Sequence, residues 1–482
     1  MKTITIARTT LIGILLLLGG NLQSALKDYT PSGLYPEFKN VIRAASENGL
    51  EYKKLDIYLL DAQLQKEISH ASRRPNLNLS TGAGAYWSSF EETITETDAE
   101  GNPLKDENGN NITRKESQGI QAGISDLSLS TGYTLFNWGA KQAAQRNTDR
   151  DYEIFLIDHQ NRVANIANDL RHHFLELIIQ KFSLKTIELE IEVNQANIDQ
   201  DTLRHEQGKF SNENFQRSMN SRKLRALSLE EQKRNLQRTI DDFNEKVGIN
   251  ALTLDQIPTS IPSIPNVNDQ LIALVRQSKS QKYQNLPEIK KAQIRLDKLE
   301  DNIVATKAWM KPSVGLSGRL SLDIEPTQGN QRVWEASAGL GVGWNIYSGG
   351  ANSKRVLKAL NSKSVAMAEY MYQLKRKDVD MDRMIENLLM QYSRLEVAES
   401  EYQLALQSYE KSKEEYSRGR ISDLAFMSVE LGRLYQERAI YASRRNYVLT
   451  ISDFLKTMGQ DPALDLLPSP EEKDLSNVRG TN

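Results

Sequence analysis

The sequence predicts a mainly α-helical chain with a smaller membrane β-barrel part, in which one plan of helices and strands occurs twice. Three observations lead to this prediction. Landmarks recur at a constant offset of 211 residues, prolines are missing from two long segments, and four segments alternate apolar with small or polar residues. Constant spacing between turns is typical of repeated rigid units, and alternation with period two indicates strands.

The duplication is visible in short motifs that coincide when the chain is shifted upon itself. They are an aromatic or apolar run ending in glycine, a glycine–basic–apolar–serine turn, and a later glycine. The coinciding pairs are 135–139 with 346–350, 208–211 with 419–422, and 247–248 with 458–459. No insertion separates the copies between 135 and 248, so each copy keeps its lengths.

Composition excludes several classes of function. The 482 residues carry a net charge of -2, from 61 basic and 63 acidic side chains, which gives no support for nucleic-acid binding. There is no cysteine, which excludes disulfides, thiolate metal sites, a cysteine nucleophile and an acylated N-terminal cysteine.

The N-terminus predicts export. Lys2 and Arg8 precede an apolar run from Leu11 to Leu18, and small residues follow at Ser24-Ala25. The run is shorter than the roughly 20 residues that a membrane helix needs. We therefore divide the chain into a signal peptide, a first repeat, an equatorial linker, a second repeat and a polar C-terminal tail. Their bounds are 1–24, 25–248, 249–285, 286–462 and 463–482.

Segment 140–248 contains no proline, and its only glycines are Gly208 and Gly248, so it predicts a helical hairpin broken at Gly208. At 1.5 Å per residue the first arm is roughly 100 Å long and the second about 55 Å. The helical stretches 38–72 and 286–309 are predicted to complete the short arms by stacking end to end with them.

The alternating segments predict two β-hairpins, in 77–136 and 314–346. The phase slips near Ser125-Asp126, which predicts a bulge there. The acidic loop around 90–117 joins the first two strands. It is interpreted as a mobile, solvated lid, with a surface site for divalent cations as the alternative.

All five tryptophans belong to the strand region, at two levels that are typical of the interfacial girdles of a membrane barrel. They are Trp87, Trp138, Trp309, Trp334 and Trp344. A soluble β-layer with ordinary packing tryptophans is the alternative. Because four strands cannot close a barrel, several chains must share one. Two chains would give eight strands with a filled interior, and three would give twelve strands with a lumen.

At this point a family resemblance is recognisable. Basic-proline pairs stand where helices lead into strands, an aromatic–x–x–glycine motif follows each strand pair, and a glycine marks each hairpin tip. These are Arg74-Pro75, Lys311-Pro312, Phe136 to Gly139, Tyr347 to Gly350, Gly208 and Gly419. Over nearly its whole mature length the chain resembles the TolC-like outer-membrane efflux proteins.

The resemblance implies a homotrimer in outer-membrane lipid, with a twelve-stranded barrel and a twelve-helix tunnel across the periplasm. It also implies docking to a periplasmic adaptor and, through it, to an inner-membrane RND or ABC transporter. The expected function is a passive exit duct for a tripartite efflux pump or a type I secretion system. The rival is a non-conducting periplasmic coiled-coil spacer.

Two sets of residues at the predicted tips are singled out. The docking candidates are Gly208, Lys209, Phe210, Ser211, Gly419, Arg420, Ile421 and Ser422. The resemblance implies that a gate lies beside the second tip, with candidates Tyr416, Arg420, Asp423, Glu430 and Asn214. Ala425 and Ser428 occupy positions that are acidic in the family, so a rearranged gate is expected. For Asp423 a role at the helix start stays open.

No catalytic, cofactor or metal site is predicted, and the chain is not expected to be an enzyme. The five histidines include no HExxH pattern, and His205-Glu206 is interpreted as a surface pair.

Overall fold

The computed structural model describes residues 26–325 and 331–467, with side chains excepted at 83–92, 116–126, 323–325 and 331–333. The predicted signal peptide and most of the predicted C-terminal tail, residues 468–482, lie outside the described residues.

The elements are named here in chain order. The helices are α1 Pro31–Leu34, α2 Pro36–Asn48, α3 Leu50–Ala71, α4 Ala140–Glu206, α5 Asn212–Val247, α6 Asn268–Ser280, α7 Pro287–Ala308, α8 Ala351–Ser417, α9 Asp423–Thr457 and α10 Pro462–Leu466. The strands are β1 Asn76–Thr95, β2 Thr113–Phe136, β3 Ser313–Glu325 and β4 Gln331–Gly343. The segment predicted as an equatorial linker contains α6 and a 3₁₀ turn, Leu254–Gln256.

The two long helices, α4 and α8, have the same length. Each contains 67 residues, and their starts differ by the 211 residues that separate the sequence copies. At 1.5 Å per residue each is roughly 100 Å long. The following helices contain 36 and 35 residues, so both hairpins have one long and one short arm.

The chain divides into two compact units. Of the described residues, the first comprises 26–63, 150–296 and 364–467, and the second comprises 64–149, 297–325 and 331–363. Each is described by itself.

In the first unit the short arms meet other helices end to end, as the sequence predicted. Gly248 ends α5 in the left-handed region at φ 82°, and a Cβ there would lie 2.4 Å from the backbone oxygen of Asn48, where α2 gives way to α3. Only glycine fits such an approach. At the corresponding end of α9, a Cβ on Gly459 would lie 3.3 Å from the Pro287 ring that begins α7.

The core of this unit is aromatic where α2, α4 and α5 meet. Phe174 of α4 packs against Tyr35 and Phe38, with ring centroids 5.2 and 4.8 Å away, and lies 6.5 Å from Phe243 of α5. Offset and edge-on aromatic packing of this kind adds about 0.5–1.5 kcal/mol per pair beyond area burial.

A fully buried ion pair fixes the short segment between α9 and α10 to α4. The Arg171 guanidinium donates to both carboxylate oxygens of Asp461, at 2.7 and 2.5 Å, and both side chains are inaccessible to solvent. The same carboxylate caps α10 by accepting from the Ala463 amide at 2.8 Å. Such a pair fixes geometry more than it adds net stability, because desolvation offsets much of the attraction.

The second unit contains one antiparallel sheet in the order β1-β2-β3-β4. Both predicted hairpins are present, and β2 and β3 also pair with each other. The bulge predicted at Ser125-Asp126 is misplaced, because both residues pair in register with Ala83 and Gly82. The register shifts occur farther toward the acidic loop, between Gly84 and Ser89 of β1. The periodicity of apolar residues indicated that the phase changes, but it did not locate the residues at which β1 and β2 lose register.

The acidic loop is shorter and more regular than predicted. The strands extend to Thr95 and from Thr113, and the residues between them form two successive tight turns. Asp98 accepts from the amides of Glu100 and Asn102, and Asp106 repeats this with Asn108 and Asn110. These hydrogen bonds hold the pKa of each aspartate below its usual range.

Replacing Asp461 with alanine leaves the buried Arg171 charge without its carboxylate partner. We expect the free energy of unfolding to fall by about 3–5 kcal/mol, measured as the guanidinium midpoint of the helical circular-dichroism signal. Asp465→Ala is the matched control, because it removes an exposed ion pair with Lys27 and should cost less than about 1 kcal/mol. Equal midpoints for the two variants would contradict this account.

Candidate functional site

One face of the sheet is apolar and exposed. The strand register places Leu79, Leu129, Leu320 and Ala336 side by side in one row. Two rows farther along the same face, it places Tyr133, Leu316 and Leu340 side by side. Leu79 is 70% and Leu340 72% exposed. Water-soluble proteins bury such a face, so this face needs an apolar surrounding.

The opposite face is polar. Its rows contain Asn78, Ser130, Arg319 and Ser337, and then Ser80, Ser128, Ser321 and Glu335. The hydroxyls of Ser80 and Ser128 are 2.8 Å apart and hydrogen-bonded. Ser128 is 5% and Ser321 3% exposed, so these two serines of the inner strands are better covered than the leucines behind them. The sheet is therefore inverted relative to a soluble one.

Both margins of the sheet are open in the described protomer. Within residues 76–343, β1 pairs only with β2 and β4 only with β3. Each outer strand thus has a row of backbone N–H and C=O groups without a strand partner. In hydrocarbon such groups cost several kcal/mol each, so a lipid-embedded sheet must close.

Three of the five tryptophans gather where the strands meet the helices. Trp138, at φ 53°, donates its indole N–H to the Pro312 carbonyl at 2.7 Å, and Trp344 donates to Met310 at 3.1 Å. Trp309 is exposed beside them. These anchors fix one aromatic level at this end of the sheet. Trp334 lies farther along β4 and is also exposed, and the Trp87 side chain is outside the described set.

The first helical tip contains all four of its docking candidates. Gly208 adopts φ 70°, and the Lys209 amide donates to the Arg204 carbonyl at 2.8 Å, as in a Schellman-type helix end. Lys209 is exposed and Phe210 half-buried. Ser211 caps α5, its hydroxyl accepting from the Asn214 amide at 3.2 Å.

The second tip repeats this geometry. Gly419 adopts φ 68°, the Arg420 amide donates to the Glu415 carbonyl at 2.9 Å, and Ser422 caps α9 by accepting from the Ala425 amide at 3.2 Å. Arg420 is exposed and Ile421 half-buried, which matches Lys209 and Phe210. Each tip presents one basic and one apolar side chain.

Each hairpin is held closed by a pair of stacked rings that the sequence analysis missed. His205 stacks on Phe215 at 4.7 Å and 2°, and Tyr416 stacks on Phe426 at 4.9 Å and 8°. His205 also donates from Nδ1 to the Phe210 carbonyl at 3.0 Å, so it is part of the tip and more than a surface pair with Glu206. The offset of 211 relates both members of the pairs, which is the signal that could have found them.

The structure brings only some of the gate candidates together. The Tyr416 hydroxyl donates to the Asp423 carboxylate, and this bond raises the pKa of Tyr416. Arg420 is exposed in the turn, Glu430 is half-buried farther along α9, and Asn214 belongs to the other tip. Asp423, the first residue of α9, is therefore hydrogen-bonded to Tyr416 in the last turn of α8.

Exposed apolar side chains also run along α8 within the first unit. They form two runs with intervals of seven residues, separated by an interval of eleven, and both spacings keep to one helix face. They are Val365, Tyr372 and Val379, then Met390, Val397 and Leu404. This stripe has no apolar cover within the described protomer.

The described residues contain neither a metal-binding cluster nor a helix suited to crossing a membrane. Among residues 26–325 and 331–467, no group of three or more histidine, aspartate or glutamate side chains is arranged to hold a metal ion. None of the described helices is both long and apolar enough to cross a membrane.

Comparison with known proteins gives a family match for part of the chain and a fold for nearly all of it. Residues 280–457 match the family model described as Outer membrane efflux protein. No curated protein matches the chain.

Similar solved structures cover nearly the whole chain. The outer-membrane channel CmeC of Campylobacter jejuni is 14% identical over 92% of this chain and 88% of its own, with a TM-score of 0.61. The outer membrane protein VceC of Vibrio cholerae is 16% identical over 88% and 97%, with a TM-score of 0.60. The open-state MtrE channel of Neisseria gonorrhoeae is 12% identical over 88% and 90%, with a TM-score of 0.58. At these identities the likeness is one of fold.

Proposed function

Because residues 280–457 match the outer membrane efflux protein family model and the fold is similar to that of outer-membrane channels, we propose that the chain belongs to this family and that three copies of it form a passive exit duct through the outer membrane. The protein lies in the outer membrane, with most of its chain in the periplasm. The duct serves a tripartite efflux pump or a type I secretion system. Its helical tips dock to a periplasmic adaptor, which connects it to an inner-membrane RND or ABC transporter.

The observation that carries this proposal is the inverted sheet. Its apolar face suits lipid and its polar face suits a water-filled bore, the arrangement of a membrane barrel. Three copies supply twelve strands, which leave a lumen, whereas the eight strands of two copies would be filled by side chains. A periplasmic spacer has no use for an exposed leucine face, so the observation argues against that rival.

Closure into a ring also accounts for the other uncovered surfaces. The free margin of β1 on one protomer can pair with that of β4 on the next, a heterologous contact that closes by rotation. The apolar stripe of α8 would be covered at the same time. No step of transport is assigned to a side chain, since a duct of this kind supplies a path and its partner supplies the energy.

The tips support the docking proposal by their exposure and their repetition. Lys209-Phe210 and Arg420-Ile421 have the same backbone geometry, so a trimer would present six similar basic and apolar sites at one rim. Repeated, exposed and rigid sites of this kind suit a partner that contacts several of them in turn.

Channel formation is tested by reconstituting the purified full-length protein into planar bilayers. We expect a trimer by native mass spectrometry and stepwise ion conductance. A folded monomer that conducts no current would remove the duct proposal.

The assignment of the sheet faces is tested by charge. Leu79→Arg and Leu340→Arg should each cost about 2–4 kcal/mol at the bilayer midplane and reduce assembly of the membrane-inserted trimer. Asn78→Arg is the matched control, since it places the same charge on the adjacent residue of β1, facing the bore. If Asn78→Arg impairs assembly and Leu79→Arg does not, the faces are reversed.

Docking is tested with a photo-crosslinking residue placed at Lys209 or Arg420 in cells. We expect adaptor peptides in the crosslinked product, and their loss when Gly208→Pro and Gly419→Pro are combined, because proline cannot adopt φ near 70°. Gly101→Pro with Gly109→Pro is the control, at two glycines of similar φ in the acidic loop. Undiminished crosslinking in the tip variant would refute the docking assignment.

A further inference from the structure

A cleft of about 400 Å³ lies in the second unit, at the level where the strands meet the helices. It is bounded by the ends of α7 and β4 and by the starts of β3, α4 and α8. Its polar and aromatic lining comprises Lys311, Arg355, Asn137, Asn345, Asn352 and Trp309. Neither the channel nor the docking proposal uses this cleft.

The two cations of the cleft are held by aromatic rings instead of carboxylates. Lys311 Nζ lies 4.3 Å from the centroid of the Trp138 ring, and the Arg355 guanidinium lies 5.5 Å from that of Trp309. Arg355 also donates to the Asn352 side-chain oxygen at 2.8 Å. Within the described chain neither cation has a carboxylate partner, so each positive charge is balanced only by the face of a ring.

No acidic side chain lines the cleft, and the three asparagines offer amide groups that can donate. Two cations fixed over aromatic rings, with neutral donors between them, favour an anion. Asn352 also lies in the first turn of α8, where the helix dipole adds to the positive potential.

We propose that this cleft binds a phosphate ester. An arginine fork and a lysine are the side chains that recognise phosphate oxygens. The volume falls within the range of sites for small organic ligands, so the phosphate carries an organic substituent. The Trp309 ring at the cleft offers that substituent an apolar surface.

Two sources can supply this chemistry. The three tryptophans mark a membrane interface in the proposed assembly, where phospholipid headgroups present phosphodiesters. The polar face of the sheet begins at Ser313, beside the cleft, so a soluble phosphate ester in the bore is the other source. Binding in either case is independent of conduction and of adaptor docking.

The test uses purified full-length protein in a maltoside detergent, which contains no phosphate. Phosphatidylglycerol binding is followed by native mass spectrometry, and glycerol phosphate binding by isothermal titration. We expect at least one probe to bind, and Lys311→Gln with Arg355→Gln to weaken it on the order of 100-fold, about 10-fold for each charge-assisted contact.

Lys354→Gln with Lys358→Gln is the matched control, because it removes two exposed cations from the same helix outside the cleft. It should bind as the unchanged protein does. Circular dichroism and trimer content verify that both double variants are folded, and single variants replace a double variant that is not.

Each outcome is decisive. Phosphatidylglycerol binding that is lost only in the cleft variant supports the proposal with a membrane source, and glycerol phosphate binding with the same pattern supports it with a soluble source. Binding of neither probe, or equal weakening in both double variants, would overturn it.

Discussion

Backbone hydrogen bonding within lipid is the constraint on which the proposed assembly depends. Every N–H and C=O of a strand in hydrocarbon needs a partner, and here β1 and β4 each have one neighbour where two are required. The side chains add a second condition. The exposed leucines of one face require an apolar surrounding, and the serines of the other face require a polar one. A ring of identical protomers satisfies both conditions at once, with no covering element from elsewhere in the chain.

The helical part of the chain has a different constraint, because its two long helices must have the same fixed length. Two helices of 67 residues, related by one sequence offset, reach the same distance because each lacks proline and internal glycine. Left-handed glycines end the helices where the backbone must reverse or closely approach another segment. Buried contacts such as the Arg171–Asp461 pair then fix the chain end against α4. Polar and charged groups in this unit therefore set position, and packing of aliphatic and aromatic side chains supplies most of the attraction.

The tips combine these features on a small scale. Glycine makes the turn, serine caps the returning helix, and a ring stacked across the hairpin keeps the two arms together. The exposed basic and apolar residues are thus presented on a stiff support. In the second tip the Tyr416–Asp423 hydrogen bond is contained within one hairpin and adds to this support.

The sequence by itself determined the features that depend on near neighbours. Helix lengths, tip glycines and strand alternation could all be predicted, because turn chemistry and periodicity act over a few residues. Partners far apart in the chain were decided only by the tertiary structure. Arg171 and Asp461 pair across 290 residues, the bulge lies where β1 and β2 lose register, and Lys311 meets Trp138 over a cleft built from five elements. Such contacts depend on where whole helices and strands are placed, and no local sequence pattern specifies which distant residues will meet.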